Sequence, residues 1–111
     1  MSKAKQKGTA AETAVVNWLK AQGRLHVERR SLHGTQDRGD IAGVPCVVIE
    51  VKNHKRMMLS EWLQELAVEM ANDKAETGVV IHKKTGTTDV GKWYATMPVE
   101  VWHHLLKEAG Y

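Results

Sequence analysis

The sequence predicts an α/β sandwich, a small central β-sheet flanked by helices, and three observations carry that expectation. Apolar residues recur at helical spacing in three segments, short apolar or alternating runs lie between them, and polar, Gly-bearing stretches separate the runs. The chain has 111 residues, which fits one domain over 1–111 able to bury an ordinary core. Its balance of 42% hydrophobic and 26% charged residues is globular rather than disordered or fibrous. Phe is absent, so four Trp, five Met and the aliphatic residues must supply the large apolar volume.

In order, residues 9–22 form the first predicted helix, with Ala11, Ala14, Val15, Trp18 and Leu19 on one stripe and Gly23 as its stop. Residues 25–30 read as a short strand, 31–39 as a polar loop and 39–43 as a brief extended piece. Residues 46–52 are the clearest strand, interrupted only by Glu50 and Lys52. A second amphipathic helix covers 59–72, its stripe made of Leu59, Trp62, Leu63, Leu66, Ala67 and Met70. Strands are expected over 78–82 and 92–97. Pro98 then opens a last helix that buries Val101, Trp102, Leu105 and Leu106. The order is α-β-β-β-α-β-β-α.

Several function classes fall away. The longest apolar run, residues 44–49, is too short to span a bilayer, and the start has no apolar core of a secretory signal, so a cytoplasmic protein is expected. A single cysteine, Cys46, excludes an internal disulfide. The formal charge of +3 fits a polyanionic partner, and its placement says more. Lys3, Lys5 and Lys7 lie in an expected flexible basic arm over 1–7; Arg24, Arg29 and Arg30 follow; Lys52, Lys55 and Arg56 cluster after the apolar strand.

The informative anomaly is in that strand. Alternation puts Cys46, Val48, Glu50 and Lys52 on one face and Val47, Ile49 and Val51 on the other. An unpaired buried carboxylate costs several kcal/mol, so Glu50 requires a partner, a metal or water. Asp40 lies ten residues earlier, and a hairpin through Gly43, Val44 and Pro45 would bring it beside Glu50 across adjacent strands. Two carboxylates that close repel unless a cation separates them, and Mg²⁺, with its octahedral oxygen shell, suits the role. Lys52 shares the face of Glu50. Glu12, at the margin of the first helix's apolar stripe, is placed to reach over the sheet toward the pair.

Glu12, Asp40 and the run Glu50-Val51-Lys52 resemble the PD-(D/E)XK nuclease superfamily. With the opening from Lys7 to Glu12, Arg29 or Arg30, Ser31, the run Asp40-Ile41-Ala42-Gly43 and the strand Ile49 to Lys52, the chain is similar to archaeal-type Holliday junction resolvases and their small phage-encoded relatives. The resemblance covers roughly residues 7–82. It implies a restriction-endonuclease-like mixed sheet flanked by helices, with Asp40, Glu50 and the Val51 carbonyl as metal ligands and Glu12 binding directly or through water. Lys52 would position or activate the attacking water, and one of Arg29 and Arg30, with Ser31, would meet the scissile phosphate. Asp37 and Gln64 are candidate supporting groups around the site.

The expected activity is therefore Mg²⁺-dependent hydrolysis of phosphodiester bonds in branched DNA, with Mn²⁺ as a substitute and Lys7, Arg29, Arg30, Ser31, Lys55 and Arg56 meeting DNA. A four-way junction is two-fold symmetric, so paired cuts call for a homodimer. The nearest alternatives are the same chemistry on flap, nicked or plain duplex DNA, and a non-catalytic DNA-binding module. Three carboxylates in one place argue against the module, since they repel a phosphate backbone unless metal neutralises them.

Overall fold

The computed structural model describes residues 2–30 and 36–111. It shows helix α1 (Lys3–Ala21), strands β1 (Glu28–Arg29), β2 (Ile41–Ala42) and β3 (Val47–Lys52), helix α2 (Leu59–Asp73) and strand β4 (Thr77–His82). A single 3₁₀ turn (Val90–Lys92), strand β5 (Tyr94–Thr96) and helix α3 (Val99–Glu108) complete the chain. The five strands form one mixed sheet in sequence order, β1-β2-β3-β4-β5. The β3–β4 pair is parallel and the other three pairs are antiparallel. The predicted element order is observed.

The alternation along β3 divides the core in two. Ile49 and Val51 face α1 and pack with its Ala11, Val15 and Val16, together with Val27 and Ile41. On the opposite face Val48 and Val80 pack under Trp62 and Leu66 of α2. Gly78 makes that second contact close: a Cβ there would lie 2.6 Å from Met70 Sδ, so a side chain would push α2 off β4. Glu50 and Lys52 share the face of Val48 and therefore lie on the α2 side of the sheet.

Three expectations are corrected. The first helix does not wait for residue 9: Ser2 caps it by accepting a hydrogen bond from the Lys5 amide at 3.1 Å, so Lys3, Lys5 and Lys7 are helical rather than a flexible arm. The strand predicted from residue 46 starts at Val47, because Cys46 occupies the left-handed region (φ 65°) at the end of the hairpin turn. Finally, α3 buries Val101, but Trp102 is 52% and Leu105 36% exposed, since α3 packs on β4 with only part of its apolar face. No helix among the described residues is long and apolar enough to cross a membrane.

Candidate active site

The β2–β3 hairpin sets the centre of the site. Its register pairs Ile41 with Ile49, which puts Asp40 across from Glu50. The Asp40 amide donates to the Ile49 carbonyl at 2.9 Å, and Asp40 Oδ2 accepts from the Val51 amide at 2.7 Å, so backbone and side chain are both pinned to β3. The turn into Asp40 requires Gly39. Its φ is +97°, and a Cβ would lie 2.9 Å from Val48 Cγ1.

Around this hairpin the sequence-predicted residues assemble. Glu12, Asp40, Glu50, Val51 and Lys52 line one cavity of about 430 Å³, together with Lys7 and Lys55. A neighbouring cavity of about 640 Å³ shares Glu12 and Asp40 and adds Arg29, Arg30 and Asp37. Lys52 Nζ stands 3.6 Å from Glu50 Oε2 and 2.7 Å from Glu65 Oε2. Glu12 Oε1 is held by Arg29 Nε at 3.2 Å. Arg30 is half-buried, and its Nε has no hydrogen-bond partner among the described residues. Arg56 is exposed and Gln64 points from α2 into solvent; neither lines these cavities. Ser31 lies outside the described residues.

Two functional candidates escaped the sequence reading, and both are on α2. Glu65 binds Lys52, as above. Glu69 is only 1% exposed, and neither of its carboxylate oxygens has a hydrogen-bond partner among the described residues. The ligand oxygens of Asp37, Glu50 and Glu69 lie within 4.8 Å of one another. Asp37, which caps the Gly39 amide at 2.9 Å, is thus part of an acidic group and not only a loop residue. A signal for Glu69 existed: it falls three residues after Leu66 and seven after Trp62, on the stripe that α2 turns to the sheet.

The electrostatics follow from crowding acids at low exposure. Burial, reinforced by Asp40 and Glu69, pushes the Glu50 carboxyl up to about 11 against the opposing pull of Lys52. Burial, with Asp37 and Asp40 nearby, pushes Glu69 up to about 8. Glu12 is also raised, by burial and by the charge of Asp40, with Arg29 offsetting part of it. Burial alone would lower the Lys52 ammonium, but Glu65, Glu50 and Asp40 outweigh it and hold Lys52 above its ordinary value. The acids Asp37, Glu50 and Glu69 crowd together with Lys52 beside Glu50, and their hard oxygen donors could hold a metal ion.

No family model, curated protein or solved structure matches this chain.

Proposed function

We propose that this protein is a metal-dependent DNA endonuclease of the PD-(D/E)XK type, similar to Holliday junction resolvases, working as a homodimer on branched DNA. One observation carries the reading: the β2–β3 register sets Asp40 across from Glu50, and both line one cavity with Lys52 and the helix-borne Glu12. The α-β-β-β-α-β order, with β3 parallel to β4, supports a restriction-endonuclease-like core.

The residues fit a hard divalent cation. Glu50 Oε1 is buried without a hydrogen-bond partner among the described residues, and Asp40 approaches it with one oxygen committed to a backbone amide. Asp40, Glu50 and the Val51 carbonyl would hold Mg²⁺ or Mn²⁺, with Glu12 beside them. The ion would lower the pKa of a bound water and offset charge on the phosphoryl oxygens. The chain's own groups supply the rest. Lys52, kept protonated by Glu65 and Glu50, puts a fixed positive charge where negative charge grows on phosphorus-bound oxygen. In the reaction the water oxygen bonds to phosphorus and gives up a proton to solvent, the ester P–O bond breaks, and the leaving oxygen takes a proton from a second water. Arg29 is occupied by Glu12, whereas the Arg30 Nε has no partner among the described residues, which favours Arg30 as the phosphate contact. Lys7 and Lys55, on the cavity wall, and the exposed Arg56 extend the basic surface for the DNA backbone.

The test is cleavage by purified protein with Mg²⁺ or Mn²⁺ on matched four-way junction, flap, duplex and single-stranded DNA, with Glu50→Gln in parallel. Paired symmetric nicks confined to the junction and absent from the variant are expected. Cutting of every form would keep the nuclease site and discard the junction preference. Tight binding without cutting would identify a binding module instead.

A further inference from the structure

The cleavage site proposed above uses the Asp40 side of Glu50. The α2 side has a separate structure. Glu69 projects from α2 onto the sheet, is 1% exposed, and has no donor on either oxygen among the described residues. Glu50, 4% exposed, likewise has no donor on Oε1 among them. Among the described residues no lysine or arginine pairs with Glu69 or Asp37: Arg38 is spent on Asp73, Arg29 on Glu12, and Lys52 on Glu50 and Glu65. An unpaired buried carboxylate beside two others costs several kcal/mol unless a cation, or a proton, offsets it.

The loop carrying Asp37 is fastened to the same end of α2. Asn72 Nδ2 donates to the Asp37 carbonyl at 2.7 Å, and Arg38 Nη1 reaches Asp73 Oδ1 at 3.8 Å. These straps hold Asp37 over Glu69 although Asp37 itself is exposed. The three ligand oxygens fall within 4.8 Å of one another. A cation bound to oxygen at roughly 2.1–2.6 Å spans oxygens up to about 4.2–5.2 Å apart, so the spread fits one ion. Glu50 and Glu69 are buried while Asp37 is exposed, so the group meets solvent on the Asp37 side.

We propose that Asp37, Glu50 and Glu69 form a second divalent-cation site, taking Mg²⁺ or Mn²⁺, with Glu50 shared between it and the Asp40 side. The site rests on this geometry, and only its catalytic meaning rests on the nuclease reading. A second ion against Glu50 would hold that carboxylate ionised and fixed toward Asp40.

The experiment is a Mn²⁺ titration of the metal-free full chain, counting bound ions by electron paramagnetic resonance, on wild type, Glu69→Gln, Asp37→Asn and Asp40→Asn. Two ions per chain are expected for the wild type. Glu69→Gln and Asp37→Asn each lose one, seen as at least about tenfold weaker binding at that site, while Asp40→Asn keeps it. Asp37 is exposed, so its variant answers the question even if Glu69→Gln does not fold. Wild-type titrations from both Glu69→Gln and Asp37→Asn would overturn the proposal and leave the Asp40 site standing. A single wild-type ion lost in Glu69→Gln but kept in Asp40→Asn would support the proposal and overturn the Asp40 ligand assignment instead.

Discussion

Lys52 is the residue whose role the structure sharpens most. Its ammonium is fixed between Glu65 and Glu50, and those carboxylates keep it charged. In the proposed reaction it would therefore act as a positioned cation rather than as a base that accepts a proton from water. Lys52→Ala is expected to lower the cleavage rate about 10²–10³-fold, the scale of losing one preorganised charge-stabilising donor, with little change in DNA affinity. Equal losses of rate and affinity would recast it as a binding residue. Glu65→Gln keeps the shape but removes one of the two charges holding Lys52, so a smaller rate loss with unchanged or tighter DNA binding is expected from the same assays. Lys52, Glu50 and Asp40 were legible because ions in a strand pattern break the period and demand an explanation. Glu69 sits on the stripe that α2 turns to the sheet and was readable there, whereas Glu65, exposed beside that stripe, reads as a solvated helix acid until it is seen against Lys52.

Elements position these residues, and the hairpin contributes most. Gly39 is the hinge of that placement, with a positive φ and Val48 against the space a side chain would need. Gly39→Ala is expected to destabilise the protein by about 1–3 kcal/mol, the cost of a residue forced into a sparsely populated backbone region, and to move Asp40 away from Glu50. Chemical denaturation measures the first effect and Mn²⁺ affinity the second; a variant with wild-type values in both would remove Gly39 from the account. Leu66→Ala, in the fully buried contact between α2 and the sheet, is expected to cost about 2–5 kcal/mol in the same denaturation measurement. The order of elements was readable because turn residues and switches of apolar period mark each boundary. The start of α1 was not, since a Lys-rich opening carries no apolar stripe and its helix depends on the Ser2 cap. The exposed side of α3 was missed for a related reason. Periodicity says which residues share a face, while the packing of α3 on β4 decides how much of that face finds a partner.

For the whole molecule, the crowded acids make stability a function of pH and, under the proposed metal sites, of metal as well. Glu50 and Glu69, ordinary at 4.5 in an unfolded chain, are raised to about 11 and about 8 when folded without metal, chiefly by burial. Between those limits the folded chain holds protons that the unfolded chain has lost, so unfolding releases protons and stability falls as pH rises. Their contribution is fully present below 4.5, declines through about 8 for Glu69, and continues to decline toward 11 for Glu50. His82 acts in the opposite sense: burial lowers its pKa below 6.5, so it adds stability as pH climbs to 6.5 and nothing above. The window from pH 7 to 9 isolates the acids. There the metal-free protein, melted in chelator, is expected to lose stability with rising pH. Mg²⁺ or Mn²⁺ competes with those protons for the same oxygens, so the metal-induced rise in melting temperature is expected to grow over that window. Glu69→Gln, which has no proton to lose, should flatten part of the metal-free decline. Metal-free stability that rises from pH 7 to 9 would show that the carboxylates are ionised and balanced by the protein's own cations, which would remove the electrostatic demand for metal on which the site depends.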